Sequence, residues 1–316
     1  MTMWVCGEVL VDLIPDTNES AKSGKSGATE RVGVIGGGPV NTAKALARLG
    51  HTVEFIDGIS TDKWGVIAKS EIAADNVGMR FVKFSDQPTC QAIVSLDEKG
   101  GASYDFVIDG TATFDFAADW LPDPYKHKPV LLHIGTLVTA IEPAASVLFD
   151  WALQVSELAP VIFDPNIRPA VIPDREKYRA QVEKWIGISS VVKVSDDDLN
   201  WLYPGQDHVE IAKRWISGDV SVVVITKGAE GLIGVTRESI CTVPGYKVDV
   251  VDTIGAGDTV GAVIAEAVHT IGLDDLHSGA LTVSLEKAAR AAAYTCSKKG
   301  AQPPTAKELN DINAIY

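Results

Sequence analysis

Short, almost unbroken runs of Val, Ile and Leu alternate with longer helix-like segments along most of the 316-residue chain. Strands that are apolar on both sides must be covered on both sides, which is typical of a parallel sheet. The sequence therefore predicts an α/β fold, in which helices cover both faces of one mostly parallel central sheet. The main predicted strands are 4–10, 52–56, 130–134, 161–164, 191–194 and 222–226, and the main predicted helices are 39–49, 64–74, 142–157, 176–188, 209–216, 259–269 and 281–298.

One region does not follow this alternation. Residues 30–35, 90–96 and 102–108 have strand character without helices between them, and 98–101 is a hairpin turn signal. We expect a small β-sheet lid, inserted from about 13–35 and 88–112 into a single domain spanning 1–316. Such a lid would close over a substrate, and its exposed edges would favour a homodimer formed through the lid.

The charge and composition exclude several classes of protein. Twenty-eight basic against 42 acidic residues give a net charge of −14, and no basic run is present, which argues against nucleic acid as a partner. No apolar stretch approaches the ~20 residues that span a bilayer, and the start lacks a signal-peptide pattern. The four cysteines are scattered without metal-ligand spacing, as expected of a cytoplasmic protein.

The most informative motif is Asp252-Thr253-Ile254-Gly255-Ala256-Gly257-Asp258, which directly precedes an apolar helical run. Small residues at a helix start leave backbone N–H groups uncovered, and these suit an anionic oxygen such as a phosphate. Asp258 would lie beside them, where it could take a proton from an attacking hydroxyl. This combination indicates phosphoryl transfer from a nucleotide to an alcohol. The alternative is a glycine-rich turn capped by an aspartate.

Polar residues follow several predicted strands, at the sheet edge where open parallel sheets bind ligands. They are Glu8 and Asp12, the segment Asp164-Pro165-Asn166-Ile167-Arg168, the group Lys193, Ser195 and Asp198, and the segment Thr226-Lys227-Gly228. Each also has a structural interpretation as a turn, a helix N-cap or a surface lysine. Their shared placement favours a binding site.

A second glycine cluster, Gly36-Gly37-Gly38, precedes Pro39 and Asn41 at the start of a predicted helix. Three glycines permit close approach of a small hydroxylated molecule, and Asn41 offers a donor and acceptors to sugar hydroxyls. The alternative is a tight loop under the lid.

The chain resembles the ribokinase-like (PfkB) carbohydrate kinases over nearly its whole length. One family signature, GG-x-x-N-x-A, matches Gly37-Gly38-Pro39-Val40-Asn41-Thr42-Ala43, and the other, D-T-x-G-A-G-D, matches Asp252 to Asp258. Two signatures in the family's order are a specific signal. The segments around Gly38 and Asp164 are most similar to bacterial fructokinases, and also to 2-keto-3-deoxygluconate and aminoimidazole riboside kinases.

The resemblance implies a role for each matching residue. Asp258 matches the general base, Gly255, Ala256 and Gly257 match the anion hole, and Arg168 matches an arginine between substrate and phosphates. Positions that hold the sugar are matched by Asp12, Gly37, Gly38 and Asn41, with Tyr104 or Phe106 from the lid. The nucleotide would lie near Lys193, Ser195, Thr226, Gly228 and Gly257.

The resemblance also implies ATP and Mg²⁺ as cofactors, with K⁺ as a further ion. Ser195 and Asp198 fall where many members have Asn-x-x-Glu, so Asp198, one methylene shorter, would reach Mg²⁺ only through water. Asp252 and Ile254 match two ligand positions of a monovalent cation, whereas Pro304 stands where ribokinases have a serine.

These expectations favour ATP-dependent phosphorylation of a sugar primary hydroxyl, with fructose as substrate and fructose 6-phosphate as product. One alternative acceptor is 2-keto-3-deoxygluconate, whose carboxylate would need a cationic pocket; Arg168 is one candidate, but no second basic residue is evident in the predicted lid. Another small sugar or riboside is a further alternative. A sugar or nucleotide sensor without turnover is disfavoured because both the base and the anion hole are present.

Overall fold

A computed structural model describes residues 1–15, 31–96, 102–216 and 218–313 of the chain. The strands within these ranges are β1 (Met3–Cys6), β2 (Leu10–Pro15), β3 (Arg31–Gly36), β4 (Val53–Ile56), β5 (Gly58–Ser60), β6 (Lys83–Ser85), β7 (Cys90–Leu96), β8 (Ala102–Val107), β9 (Leu131–Gly135), β10 (Val161–Asp164), β11 (Val191–Ser195), β12 (Val222–Thr226), β13 (Leu232–Thr236) and β14 (Ile240–Val243).

Helices connect most of these strands. They are α1 (Gly38–Arg48), α2 (Lys63–Ala74), α3 (Pro124–His127), α4 (Ala144–Ser156), α5 (Arg175–Ile186), α6 (Asp196–Leu202), α7 (His208–Ile216), α8 (Ala256–Ile271), α9 (Ser278–Cys296) and α10 (Ala306–Asn313). None of the helices in the described ranges is both long enough and apolar enough to span a bilayer.

Eight strands form the central sheet, in the order β14-β13-β12-β11-β10-β9-β1-β4. The six from β12 to β4 are parallel, and the β13–β14 hairpin continues the sheet in antiparallel fashion. This arrangement confirms the predicted fold class. Two strands, 161–164 and 222–226, also have the predicted bounds.

Alternate residues of each central strand point to opposite faces, and each face has its own apolar core. On β12, Val223 and Ile225 belong to the core formed with α4, α5, α6 and α7. Val222 and Val224 belong to the core formed with α1, α2, α8 and α9. The strands read as unbroken apolar runs because both of their faces are buried.

The first predicted strand, 4–10, is wrong as one element. The chain leaves the central sheet after Cys6, and Leu10 begins β2 of another sheet. Gly7 makes the break with a φ of 146°, and a side chain there would come within 2.3 Å of Pro39 Cγ. Packing of the first turn against α1 therefore overrides the continuous apolar pattern.

A separate four-stranded sheet, hereafter the small sheet, has the order β3-β2-β7-β8. Its β7 and β8 are antiparallel neighbours, as the hairpin pattern predicts, but the turn at 98–101 and most of the predicted lid segment 13–35 lie outside the described residues. The structure adds β2, which pairs with both β3 and β7 and attaches the small sheet to the core. The action of this sheet as a lid, within a single domain, stays a prediction.

Candidate active site

A cavity of about 760 Å³ lies between the carboxyl ends of the central strands and the small sheet. Its walls come from the turn after β1, the small sheet, the first turn of α1, the segment after β10, and the segment before α8. The lining residues include Glu8, Asp12, Ile14, Gly36, Gly37, Gly38, Asn41, Val94, Phe106, Asn166, Arg168, Lys193, Thr253, Ile254, Gly255, Gly257 and Asp258. The topology thus brings together residues that are up to about 250 positions apart, in the place where open parallel sheets bind ligands.

The segment 255–257 forms the first turn of α8. Gly255 is the N-cap with a φ of 79°, and a side chain there would come within 2.7 Å of Ala301 Cβ. Within the described part of the chain, the backbone N–H groups of Gly257 and Asp258 meet no hydrogen-bond acceptor. These N–H groups lie at the positive end of a 16-residue helix, an arrangement that favours an anion; the anion site itself stays a prediction. The side chain of Ala256 does not line the cavity.

Asp258 follows this turn and is 8% exposed. Its Oδ2 accepts a hydrogen bond of 2.9 Å from Asn41 Nδ2. Burial raises the pKa of Asp258 to about 6, the positive charge of Lys193 opposes that rise, and the negative charge of Asp164 adds to it. A carboxyl with a pKa near 6 is largely ionised at neutral pH and still basic enough to accept a proton.

Lys193 lies on β11 and is 4% exposed. Its Nζ donates to Asp164 Oδ2 at 2.9 Å, so both members of the ion pair are buried. Coulombic attraction to Asp164 and Asp258 more than offsets the opposing effect of burial, and the pKa of Lys193 is raised. The ammonium is therefore a fixed positive charge at the wall of the cavity.

The first turn of α1 lies against the first turn of α8 at the cavity. Gly37 is its N-cap with a φ of 122°, and a side chain there would come within 2.2 Å of the carbonyl oxygen of Glu8. A side chain at Gly38 would come within 3.1 Å of Asp258 Oδ1 and of Asn166 Nδ2. The glycines thus permit three segments to converge around the carboxyl of Asp258.

Asp12, on β2, and Arg168, in the segment after β10, both line the cavity. Burial raises the pKa of Asp12 to about 6, and the charge of Arg168 opposes this rise. Arg168 Nη1 donates to Asn166 Oδ1 at 2.8 Å, and this bond anchors the guanidinium to its own segment. The pair gives the cavity the acceptor and donor that a polyhydroxylated substrate needs.

Ser195 and Asp198 form the capping box of α6 instead of lining the cavity. Asp198 Oδ2 accepts from the Ser195 N–H at 3.1 Å, and Oδ1 accepts from the Ile167 N–H at 2.8 Å. Both carboxylate oxygens already have protein donors, so Asp198 would reach a Mg²⁺ ion only through water. Mg²⁺ is commonly held by few carboxylates together with phosphates and waters, and this donor set fits that mode.

The remaining predicted residues lie around the cavity. Thr226 ends β12 and Gly228 follows it, outside the lining; a side chain at Gly228 would meet open space, so its backbone is accessible to a ligand. Asp252 holds the loop before α8, because its oxygens accept from the N–H groups of Ile254 at 3.0 Å and Gly300 at 2.9 Å. Tyr104 pairs with Val94 across β7 and β8.

Two further residues lie beside the site: Glu8, which the sequence places among the polar residues of this sheet edge, and Thr136, which it does not. Glu8 lines the cavity and is 3% exposed, and burial raises its pKa. Thr136, directly after β9, has a φ of 62°, which is rare for a β-branched residue, and its Cγ2 lies by Gly38. The position of Glu8 after an apolar strand was a signal for the first residue. Nothing in the sequence around Thr136 marks its backbone conformation.

Within the described residues, no three His, Cys, Asp or Glu side chains cluster as a metal-binding set.

The chain is similar to known proteins over nearly its whole length. The model of the pfkB family carbohydrate kinases matches residues 2–308. A fructokinase of Rhizobium leguminosarum bv. trifolii is 35% identical over 285 residues, which cover 90% of this chain and 84% of the relative. A fructokinase structure from Xylella fastidiosa with bound ATP superposes with a TM-score of 0.89 at 24% identity, covering 99% of this chain and 98% of that one.

A double-mutant fructokinase from Vibrio cholerae O395, bound to fructose, ADP and potassium ion, gives a TM-score of 0.81 at 26% identity, covering 99% of this chain and 97% of that one. The family match spans almost the whole sequence, and both family signatures lie at the cavity. The chain belongs to the pfkB family of carbohydrate kinases.

Proposed function

We propose that this protein transfers the γ-phosphoryl group of ATP to the primary hydroxyl of fructose and releases fructose 6-phosphate and ADP. One observation carries the proposal: the buried carboxyl of Asp258 directly follows backbone N–H groups that have no acceptor in the described chain. A base and an anion site one residue apart suit an in-line attack of a hydroxyl on a phosphoryl group. Fructose is the favoured acceptor because the relatives reported above are fructokinases.

The fructose hydroxyl would lie beside Asp258, between the small sheet and α1. Asp258 accepts the hydroxyl proton while the oxygen forms a bond to the γ-phosphorus, and the bond from that phosphorus to the bridging oxygen of ADP breaks. The N–H groups of Gly257 and Asp258 stabilise the negative charge on the phosphoryl oxygens. Mg²⁺, bound to the nucleotide phosphates, would neutralise further charge. Asp12 and Asn41 would orient the sugar, and the small sheet would exclude water as a competing acceptor.

The nucleotide would lie along the carboxyl edge of the central sheet, towards Thr226 and Gly228. The open space at Gly228 supports this placement, since backbone there is accessible. K⁺ would bind beside the loop that Asp252 holds, near the anion site. The ion in the Vibrio cholerae structure supports a test of K⁺ for this chain.

A homodimer through the small sheet fits the exposed residues of β3. Val32 and Val34 are 49% and 38% exposed, and they pair with Ile14 and Asp12 of β2, which line the cavity. A second copy lying against β3 would cover this apolar surface. The composition supports a cytoplasmic location.

The test is ADP release from ATP and Mg²⁺ with fructose, 2-keto-3-deoxygluconate, ribose, glucose or aminoimidazole riboside. Fructose should give the highest kcat/KM, and ³¹P NMR should show a phosphate ester on the C6 oxygen. Chelation of Mg²⁺ should abolish turnover, and replacement of K⁺ by a large organic cation should lower it. Binding of fructose and ATP without ADP release would show a sensor instead of a kinase. Preference for the sugar acid would change the substrate but not the chemistry.

A further inference from the structure

A lysine in the middle of a buried strand needs a reason, because lysine is rarely buried unless it is paired. The strand β11 reads Val-Val-Lys-Val-Ser, and its neighbours Val192 and Val194 lie in the core on one face. Lys193 points to the other face, towards α8, at a position where the apolar pattern calls for another valine. Residue 193 is thus an exception to the apolar pattern of the central strands.

The ion pair with Asp164 explains why the lysine is tolerated but not why it is present. Replacing a buried ion pair by apolar residues of similar volume is often neutral or stabilising, so such a pair is weak support for a role in stability alone. Asp164 Oδ1 is buried without a hydrogen-bond partner in the described chain, so the pair is also incompletely satisfied. The arrangement is costly to the fold, which is typical of functional sites.

The ammonium of Lys193 has N–H donors without an acceptor among the described residues. An ammonium has three N–H bonds, and one is directed to Asp164 Oδ2 at 2.9 Å. No other described residue accepts a hydrogen bond from Nζ. Since Lys193 also lines the cavity, a ligand there can take the remaining donors.

The position of the ammonium identifies the ligand chemistry. A side chain at Gly257 would come within 3.1 Å of Lys193 Nζ, so the ammonium lies directly against the first turn of α8. The unpartnered N–H groups of that turn and the lysine therefore converge on the same volume. A fixed positive charge beside such N–H groups is suited to an anionic oxygen that carries more than one negative charge, as in a terminal phosphate.

The charged groups around Asp258 link Lys193 to the base as well. Asp258 is influenced by Lys193 of β11, Asp164 of β10 and Arg168 of the segment after β10, and it is hydrogen-bonded to Asn41 of α1. Of the two cations, Lys193 has the larger effect, and it lowers the pKa of Asp258. Loss of the lysine would leave Asp258 beside another buried carboxyl.

We propose, on the premise that the chain is the sugar kinase argued above, that Lys193 is a further catalytic residue. Its ammonium contacts the γ-phosphoryl group during transfer and keeps Asp258 in the ionised, proton-accepting form. Asp164 is a positioning residue, because it holds the ammonium against Gly257 and acts through it. Bond formation from the sugar oxygen to phosphorus and cleavage of the bond to ADP are those given above; Lys193 exchanges no proton.

The experiment compares wild type, Lys193→Met, Asp164→Asn and the double variant Lys193→Met/Asp164→Asn. The single lysine variant leaves a buried carboxylate without its cation and is expected to be unstable, so the double variant is the decisive protein. As a control, Lys213→Met removes an exposed lysine that pairs with Glu210 on α7. Thermal denaturation shows which variants are folded.

Direct binding of ADP and of a non-hydrolysable ATP analogue, both with Mg²⁺, tests contact with the terminal phosphate. We expect the double variant to bind the ATP analogue about tenfold more weakly and ADP within about twofold of wild type, since a charge-assisted hydrogen bond to the γ-phosphate is lost. A purely structural role would weaken both nucleotides alike. Equal losses for the two nucleotides, or no loss for either, would overturn the proposal.

Turnover gives the second readout. In the double variant kcat should fall on the order of 10²–10³-fold, as for removal of one transition-state donor, while the KM for fructose changes little. Loss of the Lys193 cation raises the pKa of Asp258 and loss of the Asp164 carboxylate lowers it, so the acid limb of kcat/KM should move to higher pH in the double variant by less than in any folded Lys193→Met protein. A folded double variant whose kcat stays within threefold of wild type contradicts the proposal.

The two proposals can fail separately. One outcome is that wild type shows no turnover with any sugar while the double variant still loses more affinity for the ATP analogue than for ADP. In that case the proposed kinase activity fails and the proposed contact between Lys193 and the terminal phosphate stands. If wild type phosphorylates fructose and the two nucleotides respond equally to the double variant, the inference on Lys193 fails and the kinase activity stands.

Discussion

Two glycine-rich turns open two helices, α1 and α8, whose first turns meet at the cavity, and the two turns differ in what surrounds them. At Gly37, before α1, backbone atoms fill the space that a side chain would need: the Glu8 carbonyl oxygen lies 2.2 Å from the Cβ position. At Gly257, in α8, the Cβ position has one near neighbour, the ammonium of Lys193 at 3.1 Å. Similar sequence signals therefore have different surroundings: at Gly37 the absence of a side chain permits close packing of the chain, whereas at Gly257 the nearest group is a charged side chain at the cavity.

Asp258 joins the two turns, because it belongs to α8 and accepts a hydrogen bond from Asn41 of α1. Asp258→Asn should lower kcat by about 10²–10⁴-fold, the largest effect expected, since it removes the proton acceptor. Steady-state ADP release with fructose measures this loss.

The same variant should not lose stability at neutral pH. The folded-state pKa of Asp258, about 6, is above its usual value of 3.8, so the folded state loses stability as the pH rises from about 4 to about 6, and this loss is fully present at neutral pH. The free energy of unfolding from urea denaturation should equal or exceed that of wild type. Unchanged turnover would remove Asp258 from the mechanism, and a large loss of stability would show that its role is in packing.

Gly37→Ala breaks the turn that serves packing. We expect the free energy of unfolding to fall by about 2–4 kcal/mol, because the φ of 122° is strained for alanine and the new methyl group meets the Glu8 carbonyl. Urea denaturation measures the change. Gly50→Ala is the matched control, since Gly50 has a φ of 97° and nothing within 4 Å of its Cβ position. Equal losses for the two variants would show that the contact with Glu8 adds nothing.

Gly257→Ala changes the turn for which a phosphate-binding role is proposed. Alanine is the better helix former, so stability should change by no more than about 1 kcal/mol. The methyl group would press on the Lys193 ammonium, and kcat should fall about 10–100-fold by displacing a group from the phosphoryl site. Gly279→Ala in α9, where nothing lies within 4 Å, should retain full activity. If Gly257→Ala lowered the free energy of unfolding as much as Gly37→Ala does, the two turns would not differ in their contribution to packing.

The pH dependence gives the smallest effect. The pKa values of Asp258 and Asp12 are both raised to about 6, chiefly by burial. If both carboxylates must be ionised, kcat/KM rises with pH through about 6, and its logarithm has a slope approaching 2 on the acid side. Asp12→Asn should lower kcat/KM and reduce the slope to about 1. The pH profiles of the two proteins check this, and an unchanged slope would mean that Asp12 does not titrate with activity.

The fold class followed from the sequence because burial on both faces leaves an unbroken apolar pattern in each parallel strand. The strands β10 and β12 were predicted to the residue. The same rule failed at 4–10, where the apolar pattern continues although the chain turns at Gly7 into another sheet. The apolar pattern indicates which residues are buried, but it does not indicate to which of the two sheets they belong.

The candidate site was predictable where a local backbone motif carries the chemistry. The turns at 36–38 and 255–257 and the carboxyl of Asp258 were identified from helix starts and residue type alone. Ser195 and Asp198 instead form a helix cap, which was the structural interpretation of the same residues. Their roles toward a nucleotide or Mg²⁺ stay predictions, as do those of the other site residues.

The sequence by itself determined the alternation of strands and helices and the two glycine turns, because these depend on neighbours within a few positions of the chain. Only the tertiary structure decided the environment of each charge: the burial that raises the pKa of Asp258, the pairing of Lys193 with Asp164, and the approach of that ammonium to Gly257. Electrostatic effects depend on distance and on exclusion of water, and both are set by segments that meet only when the sheet and its helices have assembled.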